Sequence, residues 1–160
     1  MKMETVYWAN RANLWHLWSA ANHPETAMHR LPIRVYYEDT DFGGVVYYAN
    51  YLKFLERGRT EALRALGVDQ VALKDRGTVF VVRRIEADYL KPARFDDVLE
   101  VRTWAEQIKR ASILMGQEIW RGPDRLLTAR ITIACMAETG RPVRIPPEIS
   151  ANLVQLARGD

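Results

Sequence analysis

The chain has 160 residues, 48% of them apolar and 27% charged, with a net charge of +3, which fits one soluble globular domain able to bury a core. Its cations are scattered rather than run together, which argues against nucleic acid as a partner and suits a small phosphate-bearing ligand. A lone cysteine, Cys135, excludes disulfide frameworks and cysteine-based zinc sites within the chain, and fits a reducing, cytoplasmic setting.

Residues 1–30 differ in texture from the rest, holding three of the five tryptophans and all three histidines, His16, His23 and His29. Their apolar run, Leu14 to Ala21, is broken by His16 and is too short to span a membrane. It also lacks the charged start and long apolar stretch of a signal peptide. An amphipathic helix from about Asn10 to Ala21 is expected, with Leu14, Leu17 and Trp18 on one face, to dock on the body or touch a membrane surface. Met28 is an alternative natural start. With histidine confined to this extension, the body has no Ser-His-Asp or Cys-His machinery and no histidine-rich metal site. A base or nucleophile there must be a carboxylate, or less readily Tyr or Lys.

The body, residues 31–145, opens with an alternating Val- and Tyr-rich run that predicts a strand over 33–39. "TDFGG" then predicts a turn at Gly43 and Gly44. From Tyr48 to Leu66 the apolar residues recur at helical steps: Tyr51, Leu52, Leu55, Ala62, Leu63 and Leu66. Asn50 stands near the helix start and Gly67 where a C′ glycine is expected. Gly58 falls mid-helix at a cost of about 1 kcal/mol against Ala, which predicts close approach to something flat, such as a sheet. Four further runs, 78–90, 98–109, 112–122 and 126–139, alternate and are joined by short turn segments, so antiparallel neighbours are expected. Residues 146–160 predict a Pro-broken tail with a short helix from Pro147 or Glu148 to Leu156. The sum is an α+β domain, a five- to six-stranded antiparallel sheet wrapped around one long helix.

Glu38, Asp39 and Asp41 crowd just ahead of the Gly-Gly turn and the helix. An aspartate there is ordinarily a turn former. Yet "YYEDTDFGGVVYYANYLKFLERGRTEALR", with "EADYLKPARFDDVLEV" and the late "GRPVRIP", resembles the hot-dog-fold acyl-CoA thioesterases. The likeness is to the 4-hydroxybenzoyl-CoA thioesterase type and its Tol-Pal-associated branch, and it runs from about Ile33 to Pro146.

The resemblance implies hydrolysis of acyl-CoA, with CoA as part of the substrate and no separate cofactor or metal. It implies a homodimer joined sheet edge to sheet edge, or a homotetramer, with the substrate between subunits. Asp41 takes the family's catalytic position, as nucleophile or general base. The carbonyl-polarising group is a backbone N–H at the helix start, which falls on Tyr48. Members of the Tol-Pal branch often carry histidine there, whereas a backbone donor is indifferent to that change. The chemistry is coherent, because the first N–H groups of a helix lack internal partners and the helix dipole adds positive charge. One such oxyanion donor is worth about 2.7–4 kcal/mol.

Asp39 and Glu38 are expected to serve solvent, caps or ion pairs. Glu56, placed to pair with Arg59 or Thr60, is the second candidate base, since some hot-dog thioesterases hold their carboxylate on this helix. Tyr37 is expected to pack, with a hydroxyl able to meet substrate or orient Asp41. Gly44, Val45 and Asn50 are expected to line the substrate, and Asn50 to fix the loop. Arg83, Arg84, Lys91 and Arg94, with Lys109 and Arg110 at the next hairpin, are the candidate CoA-phosphate contacts. A hot-dog dehydratase is disfavoured because that class depends on histidine. The non-catalytic alternative is a module binding acyl-CoA or an acyl-carrier protein, as part of an envelope or lipid-synthesis assembly.

Overall fold

The computed structural model describes residues 28–156; the expected amphipathic helix at 10–21 and residues 157–160 lie outside them. Five strands form one antiparallel sheet: β1 (His29–Arg34), β2 (Thr78–Tyr89), β3 (Val98–Ile108), β4 (Ser112–Arg121) and β5 (Asp124–Ala137). Their order across the sheet is β1-β3-β4-β5-β2, so β1 and β2 are the two edges. Strands β3 to β5 run as hairpins, in keeping with the short turns between them.

Alternation sorts the two faces. Leu99, Val101, Thr103 and Ala105 of β3 are buried, as are Ile113, Met115, Gln117 and Ile119 of β4 and Leu127, Ala129, Ile131, Ile133 and Cys135 of β5. Helix α1 (Asn50–Ala65) lies against this side with Tyr51, Phe54, Leu55, Gly58, Ala62 and Leu63 turned inward. Gly58 is the point of closest approach. A Cβ built there would stand 2.6 Å from Val101 Cγ1 and 3.1 Å from Thr103 Oγ1. Beneath it, Gln117 Nε2 donates to the Leu55 carbonyl at 2.9 Å and to Thr103 Oγ1 at 2.8 Å, while its oxygen accepts from Arg59 at 2.9 Å. The helix ends as expected, with Gly67 at φ 73° and the Val68 N–H returned to the Leu63 carbonyl.

The larger differences from the sequence reading fall at β1 and before β2. β1 starts at His29 and stops at Arg34, and Tyr37–Asp39 form a 3₁₀ turn instead of continuing the strand. The Asp39 carboxylate accepts the Tyr36 N–H at 2.7 Å, closing the chain into that turn. His29 therefore belongs to the body, paired with Thr103, and the extension ends before it. A short helix, α2 (Gln70–Asp75), precedes β2, and Asp69 caps it by accepting from Val71 and Ala72. Helix α3 (Pro147–Leu153) and the 3₁₀ turn Val154–Leu156 seat Ile149, Leu153 and Leu156 in the same core, so the tail packs on the body.

Candidate active site

The segment between β1 and α1 is a small hairpin. Thr40 bridges Val46, the Asp41 N–H donates to the Val45 carbonyl at 2.9 Å, and the Gly44 N–H returns to the Asp41 carbonyl at 3.0 Å. Gly44 has φ 73°, the left-handed position that closes a three-residue hairpin loop. Asp41 is the turn former that its neighbours suggest, since its Oδ1 accepts the Gly43 N–H at 2.8 Å. One oxygen is spent on the turn, and the side chain stays exposed on the loop.

The far limb of the hairpin runs into α1. Its cap residue, Ala49, has no side-chain acceptor. Among the described residues the Tyr48 N–H has no backbone partner, although the Tyr48 carbonyl accepts from the Tyr89 hydroxyl at 2.9 Å. α1 begins two residues later than the sequence reading placed it, so Tyr48 lies in the turn that leads into the helix. The Tyr47 phenol is held above its usual range, first by its hydrogen bond with the Tyr48 side chain and, last, by the charge of Asp41.

A second loop, between β2 and β3, backs the first. Val46 N–H donates to the Ala93 carbonyl at 2.8 Å, and Ala93 N–H donates to the Tyr51 hydroxyl at 2.9 Å. Burial raises the Tyr51 phenol above its usual range. Asp97 in this loop accepts from Arg121 at 2.8 Å and from the Arg94 N–H, while Asp96 takes φ 67° and pairs with Arg34 at 2.5 Å.

The remaining candidates fall into three groups. Tyr37 is 76% exposed and stacks flat on Phe95 at 3.9 Å, on the same turn that leads to Asp41. Val45 and Gly44 lie at the hairpin itself. Asn50 is 5% exposed and its amide donates to Asp39 Oδ1 at 2.6 Å, which ties the start of α1 to the limb leaving β1. Glu56 is exposed on α1 and accepts from Thr60 Oγ1 at 2.7 Å. Among the cations, Arg84 pairs with Glu86 and Lys91 with Asp124, whereas Arg83 and Arg94 form no ion pair among the described residues. Lys109 and Arg110 line a depression of about 740 Å³ with Arg144 and Ile145, at the end of β3 remote from the hairpin. The residue that sequence reasoning undervalued is Asp39, and its signal, an acidic residue eleven positions before an asparagine, is not readable without the fold.

The thioesterase superfamily matches residues 43–128, more than half of the chain, starting two residues after Asp41. The acyl-CoA thioesterase YbgC of Haemophilus influenzae is 45% identical over 75% of this chain and 90% of its own length. The acyl-CoA thioester hydrolase YbgC of an Escherichia coli O6:H1 strain is 41% identical over 81% of this chain and 98% of its own. A probable thioesterase from Bartonella henselae has a crystal structure that superposes with a TM-score of 0.72 at 41% identity, covering 74% of this chain and 99% of that one. With its five-stranded sheet wrapped on a single long helix in the hot-dog manner, this chain belongs to the thioesterase superfamily.

Proposed function

We propose that this chain hydrolyses acyl-CoA thioesters, with Asp41 as the reacting carboxylate and the Tyr48 backbone N–H as the oxyanion donor. The observation that carries the reading is that one short hairpin bears both an exposed carboxylate and an N–H at a helix entry without a backbone partner. The names of the relatives support the substrate class. The thioester oxygen would accept the Tyr48 N–H, and the charge that develops on it in the transition state is what that donor rewards. The free oxygen of Asp41 then attacks the carbonyl carbon, expelling CoA thiolate and leaving an anhydride that water opens. In the other route Asp41 takes a proton from the water that attacks.

The site is proposed to be completed by a second copy. Strand β2 is an edge of twelve residues with Val81 and Val82 46% and 41% exposed, and it ends at Tyr89, beside Tyr48. Pairing β2 with its symmetry mate satisfies that ladder and brings the partner to the hairpin. Arg83 and Arg94 are the proposed phosphate contacts of CoA.

The test is turnover of purified protein against acyl-CoAs of graded chain length and against benzoyl-CoA, compared with Asp41→Asn. A fall of about 100-fold or more is expected. Equal rates would remove Asp41, and CoA binding without turnover of any thioester, including one on an acyl-carrier protein, would favour a binding module. Single-turnover hydrolysis in ¹⁸O-water followed by peptide mass analysis separates the routes, because an anhydride opened at the protein carbonyl leaves label in Asp41.

A further inference from the structure

Asp39 is buried, 4% exposed, yet no cation pairs with it among the described residues. A buried carboxylate survives only where hydrogen bonds replace its water. Here Oδ2 accepts the Tyr36 N–H at 2.7 Å and Oδ1 accepts Asn50 Nδ2 at 2.6 Å. The Asp39 carbonyl also accepts the Tyr47 N–H at 2.9 Å. The last two of these bonds join the limb leaving β1 to the limb entering α1, and the first holds the Asp39 side chain in its turn. Asp41 stands two residues beyond Asp39 on the first limb, and Tyr48 two residues before Asn50 on the second.

We propose that Asp39 and Asn50 are a positioning pair, whose hydrogen bond sets the spacing between the Asp41 carboxylate and the Tyr48 N–H. The proposal rests on the catalytic reading of those two groups. A carboxylate and an oxyanion donor work together only when both meet the same carbonyl, and a misplacement of about 1 Å costs about 100-fold in rate. The Thr40–Val46 bridge and the turn bonds at Asp41 fix the tip of the hairpin. The mouth, where the chain turns into α1, is held by Asp39. Both residues are buried, so the pair is expected to govern the chemical step rather than affinity.

Asp39→Asn, Asn50→Asp, the double exchange and Asp41→Asn are compared with the parent protein for benzoyl-CoA and butyryl-CoA hydrolysis. Asp39→Asn sets an amide N–H against another donor unless the Asn50 amide turns over, and in either case removes the charge, whereas Asn50→Asp sets two carboxylates together. The double exchange restores the match with roles reversed: the amide at 39 donates to the carboxylate at 50 while its oxygen still accepts the Tyr36 N–H. Each single variant is expected to lose about 10- to 100-fold in kcat, with KM within about threefold, at temperatures well below its own melting point. The double exchange is expected to regain kcat.

Single variants that melt earlier but keep kcat would overturn the proposal, leaving a purely structural pair. So would a double exchange that regains the melting temperature and not kcat. Should a single variant fail to fold, Asn50→Ser, a shorter donor, is judged by the same kcat and KM criterion. Asp41→Asn keeps the two questions apart. Full turnover in that variant defeats the catalytic reading, whereas its loss together with unchanged kcat in the Asp39 and Asn50 variants defeats the positioning pair alone.

Discussion

Asp41 and Asp39 look alike in the sequence and do opposite things in the fold. Asp41 spends one oxygen on the Gly43 N–H and stays exposed, whereas Asp39 is buried with both oxygens engaged. The turn chemistry at Asp41 was legible because Asp-Phe-Gly-Gly is a local signal. The burial of Asp39 was not, because its partner Asn50 arrives only when α1 docks. His29 carries the same lesson. Composition assigned it to the extension, but it lies in β1 with Nδ1 buried and without a hydrogen-bond partner among the described residues. Burial lowers its pKa from the ordinary 6.5, and the charge of Glu61 opposes this more weakly. His29 is five residues along β1 from Arg34, about 16 Å from the hairpin end, so it leaves the exclusion of histidine chemistry at the site intact. The unfolded chain takes up a proton at His29 before the folded one does. Stability contributed by the neutral imidazole is therefore full above pH 6.5 and declines as pH falls below it, levelling once the folded residue titrates. Melting curves between pH about 7 and 5 are expected to show that decline in the parent protein, and a flatter profile in His29→Gln.

At the scale of elements, periodicity found α1 and four of the strands within one or two residues of their ends. Strand β1 shifted because its alternation continues into Tyr36 and Tyr37, while the Asp39 side chain supplies a competing bond that turns the backbone. Helix α2 escaped because six residues are too few for a period to show, and only the Asp69 cap marks it. Gly58 is the clearest success of reasoning from propensity to packing. A glycine that weakens α1 as an isolated helix lets it settle on Val101 and Thr103. Gly58→Ala should therefore destabilise the protein by about 1–3 kcal/mol in urea unfolding, although alanine is the better helix former. An unchanged midpoint would mean that Val101 moves aside freely. The same principle operates at Gly116, where a Cβ would overlap the Trp104 ring across the β3–β4 pairing.

For the whole molecule, the two sheet edges are unequal. β1 offers six residues, and the chain after it is occupied by the hairpin, whereas β2 offers twelve with a bulge between Val82 and Arg84. A long edge strand with exposed valines invites pairing, and the proposed dimer uses it. Val81→Lys is expected to shift the sedimenting species from twice 18.5 kDa towards the single-chain mass, with circular dichroism retained. A monomeric parent protein would defeat the proposed assembly. No sequence signal separated this edge from the interior strands, since exposure of a strand is decided by its neighbours and not by its own residues. The Tyr89 hydroxyl, at the last residue of that edge, holds the Tyr48 carbonyl. One phenol would thus be shared between the edge proposed for pairing and the peptide that leads into α1. If chains pair along that edge as proposed, dilution is expected to loosen the helix entry before any substrate arrives, and specific activity to fall with concentration.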